Sequence, residues 1–211
     1  EKFYIPGGKK AAEPFRSNPM FSVNPPEALK ELVIAANFVE VFLAKEGHNG
    51  VVGINYLEKI QLPNIWSLYG AMLASVDYVL IGAGIPREIP GILDKLSVHE
   101  EATMTLNVEG ASKDDDFKVV FDPKSVVKER RPPLLRPQFL AIIASDVLAL
   151  TLARKSNGQV DGFVIEGPVA GGHNALPRGA LKLNERGEPI YGERNTVDIE
   201  KIKALGLPFW L

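Results

Sequence analysis

The sequence predicts an α/β domain built around a parallel sheet. Strand-like and helix-like segments alternate about four times along the chain. The strand-like segments are near-continuous apolar runs rather than alternating ones, the pattern of strands buried on both faces. The composition is that of a globular protein: 211 residues, 45% hydrophobic and 24% charged. A closed barrel and a doubly wound sheet both satisfy this pattern, and periodicity does not choose between them.

Residues 1–26 are rich in proline and glycine without a period and read as an irregular segment. A helix follows, with Asn24 as its cap and Pro25 or Pro26 in its first turn. Leu29, Leu32, Val33, Ala36 and Leu43 fall on one helical face, and Gly47 marks the stop. Val51–Leu57 reads as a buried strand, Ile65–Ala74 as a helix, and Tyr78–Ile81 as a second strand ending in Gly82-Ala83-Gly84. Pro86–Leu96 reads as helical despite Pro90. Thr103–Val108 and Lys118–Phe121 flank an Asp-rich turn and predict a small antiparallel insertion within about residues 98–136. Gln138–Ser145 is a third apolar strand and Asp146–Lys155 its helix, closed by Asn157-Gly158. Gly162–Glu166 is a fourth strand, leading into Gly167–Asn174. Residues 174–196 are loop-like. Asp198 caps a last helix ending at Gly206, and Leu207–Leu211 begins a further strand. The chain starts at Glu1 in turn-like sequence and stops inside an apolar run, so both ends read as cut from a longer domain.

Composition narrows the function classes. Lys+Arg 24 against Asp+Glu 26 gives a net charge of −2, and no concentrated basic face offers a nucleic-acid footprint. There is no cysteine, which removes disulfides, thiolate catalysis and Cys-based metal sites. A cytoplasmic setting is compatible. The longest apolar runs, such as Phe139–Ser145, are too short to span a bilayer. His48, His99 and His173 have no metal-ligand spacing, and His48 and His99 read as solvated. A GxGxxG after a strand, a GxSxG and a Walker A motif are all missing.

In parallel α/β architectures ligands bind at the carboxyl ends of the strands. The residues there are Asn55 and Glu58-Lys59, then Gly82 and Gly84, then Ser145 and Asp146, then Glu166, Gly167, Gly171, Gly172 and His173. Glycine at such a point lets backbone N–H groups approach a flat ring or a phosphate. Gly171-Gly172-His173 is the sharpest signal: a backbone cradle with His173 as acid/base, or a tight turn with an incidental polar residue. Glu166 binds a hydroxyl or cation, or pairs with Arg178 or Lys182. Asn55, if buried, needs hydrogen-bond partners from a cofactor or a structural network. Ser145 caps the following helix or touches a ligand. Gly82 and Gly84 admit a ligand or serve packing and the turn.

Val160–Asn174, VDGFVIEGPVAGGHN, resembles the Gly-Gly-His segment of nitronate monooxygenases and FMN-dependent enoyl-ACP reductases. Val52–Leu80 with the following Gly82–Gly91 is similar to a subgroup known as 2-nitropropane dioxygenase-like. The likeness runs from about residue 20 to the end. It implies a TIM (β/α)8 barrel of the flavin-binding type, here incomplete at both ends, with FMN at the strand ends. It implies His173 as the catalytic acid/base, Gly171 and Gly172 as backbone contacts to the flavin, and Asn55 and Glu166 as further site residues. The family's opening Gly-Gly-Met-like turn and its closing phosphate-holding strand ends are not matched, and Ala175 stands where the family has glycine. A complete barrel needs about 250 residues. The implied activity is oxidation of nitroalkanes or nitronates by oxygen. The alternatives are reduction of an enoyl thioester with NAD(P)H, and a barrel binding a phosphorylated metabolite without redox chemistry. A homo-oligomer is compatible with each.

Overall fold

The structure is a computed structural model. It describes all residues except 1–5, 16, 113, 130, 172–174, 178, 193 and 194. The elements are α1 (Glu27–Ala44), β1 (Gly53–Leu57), α2 (Gln61–Leu73), β2 (Tyr78–Gly82), α3 (Ile89–Ser97), β3 (Ala102–Thr105), β4 (Lys118–Phe121), β5 (Gln138–Ile143), α4 (Asp146–Lys155), β6 (Gly162–Ile165), α5 (Ile199–Lys203) and β7 (Phe209–Trp210). Strands β1, β2, β5, β6 and β7 lie side by side in that order, all parallel. Among the described strands the order never reverses. Strands β3 and β4 form a separate antiparallel pair, with Ala102 opposite Phe121 and Thr105 opposite Lys118.

One face of the parallel sheet is sealed. Val79, Ile81, Phe139, Ala141 and Phe163 are fully buried and share one core with Ile65, Leu68, Tyr69 and Met72 of α2, Leu93 and Leu96 of α3, and Leu152 of α4. The β3–β4 pair joins this core through Met104, Val119 and Phe121, whose ring meets Tyr69 at 5.3 Å and Trp66 at 6.1 Å. The other face differs from the expectation of strands buried on both sides. Asn55 is exposed, Leu80, Ile142 and Val164 are only half-buried, and Trp210 is 46% exposed. Leu140 on this face is buried, and it, Leu80, Ile142 and Val164 are apolar enough to hide the alternation that a one-sided sheet normally shows, which is why the runs read as doubly buried.

Local chemistry explains most boundaries. Ser145 Oγ accepts from Leu148 N and caps α4, and Asp198 caps α5 by accepting from Glu200 and Lys201 N. Asn24 does not cap α1; Pro26 occupies the cap position, with no side-chain bond there. The packed stripe of α1 is Leu29, Ile34 and Val41, while Ala36 and Leu43 of the expected face are exposed. Helix α2 starts four residues earlier than the sequence suggested. Pro63 sits in its first turn, where a missing N–H removes no helical bond. Pro90 occupies the same kind of position in α3.

Candidate functional site at the carboxyl ends of the strands

The carboxyl ends of β1, β2, β5 and β6 deliver Glu58, Gly84, Ser145 and Glu166 to one edge of the sheet. Two hollows lie along it. The first, about 370 Å³, is lined by Ile85, Ser145, Leu148, Glu166, Leu176 and Tyr191. The second, about 530 Å³, is lined by Glu58, Gln61, Gly84, Arg87, Thr105 and Asn107. Ile85 and Thr151 line both, so the two hollows adjoin as a trough along this edge. Just after β2, Ala83 holds φ at +54°, a left-handed conformation that costs a non-glycine residue roughly 1 kcal/mol.

The expected site residues separate into groups. Glu166 lines the first hollow half-buried; its carboxylate makes no ion pair with Lys182, and Arg178 lies outside the described residues. Gly171 is exposed, and a Cβ built on it meets nothing within 4 Å, as at Gly167. Asn55 projects from the face opposite Ile54 and Tyr56, onto the open side of the sheet. It is exposed, so it needs no buried partner. At Gly82 a Cβ would come within 2.8 Å of Ile142 Cβ, so strand packing requires this glycine. Ser145 is buried and spends its hydroxyl oxygen on the α4 cap. Gly172 and His173 lie outside the described residues.

The other two histidines are tied down. His48 Nε2 lies 2.6 Å from Ala44 O at the end of α1, and Gly50 N donates to its Nδ1. His99 is not the solvated residue expected. Its Nε2 donates to Pro132 O at 3.0 Å, which leaves Nδ1 to accept from Tyr69 O–H at 2.9 Å. Burial pushes the Tyr69 hydroxyl up to about 12. Among the described residues no cluster of three potential metal ligands occurs, and no helix is long and apolar enough to cross a membrane.

The residue that sequence reasoning passed over is Glu58. It stood in the strand-end inventory without a role, yet it is only 8% exposed. Its Oε1 accepts from Gln61 Nε2 at 3.0 Å. The amide of Gln61 is fixed in this sense because its Oε1 accepts from Asn107 N at 2.7 Å. Glu58 Oε2 rests in the notch left by Gly84, where a Cβ would lie 1.9 Å from it. The signal was available as a pair: a glutamate ending one strand and a second glycine after the next.

Burial first, and then the neighbouring Glu88 charge, raise the Glu58 carboxyl above its ordinary value against the opposing bond from Gln61. A raised carboxyl favours folding while it is protonated, and that contribution is lost as pH rises through its folded-state value. Glu58→Gln keeps the shape and the bond from Gln61 without the charge. The variant should therefore melt higher than the parent at about pH 8, with the gap closing at about pH 4 where both are neutral. Thermal melts across that range check this; a gap that widens towards acid would contradict it.

Compared with family models, with curated proteins and with solved structures, the chain has no match.

Proposed function

We propose that this chain is part of a flavin-dependent oxidoreductase of the nitronate monooxygenase type, with FMN bound at the carboxyl ends of a TIM-barrel sheet and His173 as its acid/base. The observation that carries the reading is the parallel sheet in unreversed chain order, whose carboxyl edge holds the first hollow. Chain order is the order of a barrel sector, whereas a doubly wound sheet reverses at a switch point. The Gly-Gly-His segment follows β6 in the sequence.

The described residues fit part of the cofactor. Ile85, Leu148, Leu176 and Tyr191 offer an apolar bed for a flat ring, and the open space where a Cβ on Gly171 would lie allows close approach. Glu166 can accept from a ribityl hydroxyl, whereas Asn55, exposed on the open face of the sheet, lines neither hollow. Among the described residues no Lys or Arg lines this hollow, so they supply no phosphate partner. Bound there, FMN would supply the electron transfer. The chain would orient a nitroalkane or nitronate against the flavin and exclude water, and with a nitroalkane His173 would take the α-proton. A cytoplasmic setting belongs to the same proposal.

The test is flavin content. The purified protein should show flavin absorption, or take up added FMN, and should consume oxygen with a nitronate faster than it oxidises NADPH with an enoyl thioester. Failure to carry or bind FMN overturns the reading. A paired prediction separates the glycines. Gly171→Val should lower FMN occupancy with an unchanged melting temperature. Gly82→Ala should destabilise by about 1–2 kcal/mol, because Ile142 must move. Full FMN occupancy in Gly171→Val would remove that residue from the cradle.

A further inference from the structure

The second hollow carries chemistry that the flavin reading does not use. Glu58 has one oxygen committed and one free. Gln61 can only donate to Oε1, since its own oxygen is occupied by Asn107 N. A proton on this carboxyl therefore resides on Oε2, the oxygen in the Gly84 notch of the hollow. Glu88, the other carboxylate here, is no competitor for a ligand. Its two oxygens accept from Thr105 N and Thr105 Oγ1, both at 2.8 Å, which ties β3 to the β2–α3 loop and forms one wall. Thr151 uses its hydroxyl on Val147 O within α4. Arg87, by contrast, lines the hollow with no ion pair or side-chain hydrogen bond among the described residues. A buried carboxyl with a directed free oxygen, an uncommitted guanidinium and apolar wall from Ile85, Ile89 and Met104 thus share one space of about 530 Å³.

We propose that this hollow is a binding site for a small aliphatic carboxylate, with Arg87 pairing the anion, Glu58 Oε2–H donating to its second oxygen, and the alkyl chain lying on Ile85 and Met104. An unprotonated Glu58 would set two carboxylates against each other, so the site binds the anion only with a proton on Glu58. Gln61 is a positioning residue, keeping that proton on the oxygen that faces the ligand. Gly84 is required because any side chain there would occupy the space of the carboxyl. The charged groups that line the hollow with Glu58 are Arg87 and Glu88 from the β2–α3 loop, and it is the Glu88 charge that acts on the Glu58 carboxyl. Helix α2 contributes Gln61, β3 and the following loop contribute Thr105 and Asn107, and α4 contributes Thr151, all uncharged. Lys59 lines a neighbouring groove instead. Apart from Ile85, which lines both hollows, the proposal uses residues other than those proposed for the flavin, and its polar contacts are shared with none of them, so each can fail without the other.

Butyrate is the probe, and calorimetric titration of the protein across about pH 5–9 is the experiment. Affinity should fall about tenfold per pH unit once Glu58 begins to lose its proton, because binding then takes up one proton. Glu58→Gln should still bind butyrate, since its amide N–H replaces the acid O–H, and the pH slope should vanish. Arg87→Met, a substitution at an exposed residue, should weaken binding about tenfold or more at every pH. Butylamine, which lacks the anion, should not bind. The site is overturned if the protein shows no butyrate binding, if affinity is flat with pH in the parent, or if Arg87→Met binds as the parent does. Persistence of the slope in Glu58→Gln would assign the proton to another group and overturn the role of Glu58.

Discussion

Replacing Arg136 by Met should destabilise the protein by about 3 kcal/mol and lower its melting temperature by roughly 6–12 °C, while leaving ligand binding at the trough unchanged. Arg136 precedes β5, at the amino end of the sheet and so opposite the trough. Its Nη1 donates to Asp161 Oδ2 at 2.7 Å, Nε to Asp94 Oδ1 at 2.5 Å, and Nη2 to Gln159 O at 2.7 Å. Asp161 Oδ2 also accepts from Phe139 N at 2.7 Å, so the pair links the starts of β5 and β6. The Arg136 and Asp161 side chains are 22% and 13% exposed. Loss of the guanidinium strands a largely desolvated carboxylate, and that penalty exceeds the value of the pair itself. The contact to Asp94 adds little, since that side chain is 46% exposed and solvent screens it. Arg136→Lys should recover only part of the loss, because an ammonium cannot span three acceptors in a fixed fork. Adding Asp161→Asn to Arg136→Met should restore some stability. A loss below about 1 kcal/mol in Arg136→Met would show that solvent already satisfies Asp161.

Parallel sheet and element order were legible because they depend on local pattern. The apolar runs at Tyr78–Ile81 and Gln138–Ile143, and the caps at Ser145 and Asp198, all fall where the sequence puts them. What was not legible depends on partners distant in the chain. Helix α1 is apolar on more than one side, and Phe38, Val39, Phe42 and Leu43 compete on paper with Ile34 and Val41 for the packed face. Only the position of α2 decides between them. The same holds for Glu58, which reads as a surface residue after a strand until Gly84 and Gln61 are placed around it. His99 read as exposed because its flanks are charged, yet Tyr69 and Pro132 reach it from 30 and 33 residues away. The purpose of Gly82 was ambiguous for the complementary reason: a glycine at a strand end reads alike whether a ligand or Ile142 fills the space above it.

The other large effect is expected at Gly70, and its sign runs against helix propensity. Gly70 is buried in the middle of α2, where alanine would ordinarily stabilise by about 1 kcal/mol. Here α1 crosses so closely that a Cβ on residue 70 would lie 2.3 Å from Ile34 O and 3.0 Å from Ile34 Cα. Those are backbone atoms, so no side-chain rotation relieves the overlap and α1 itself must move. Its movement is resisted by a polar tie between three elements. The Tyr56 hydroxyl of β1 lies 2.8 Å from Asn37 Oδ1 on α1 and 3.2 Å from Ser67 O on α2, and shares its proton between them. Burial raises the Tyr56 hydroxyl above its ordinary value, so it remains a donor through the physiological range. Displacing α1 stretches the bond to Asn37 and opens the Ile34 and Val41 contacts together. Gly70→Ala should therefore destabilise by about 2–3 kcal/mol, or roughly 5–9 °C in melting temperature, and Gly70→Leu should prevent the two helices from docking. Tyr56→Phe alone should cost about 1 kcal/mol. Combined with Gly70→Ala, it should cost less than the sum, because the bond it removes has already been strained. Melts of the two single variants and the double variant provide the measurement. A neutral or stabilising Gly70→Ala would mean that α1 and α2 do not approach at residue 70, and strict additivity would mean that the Tyr56 tie does not sense the crossing.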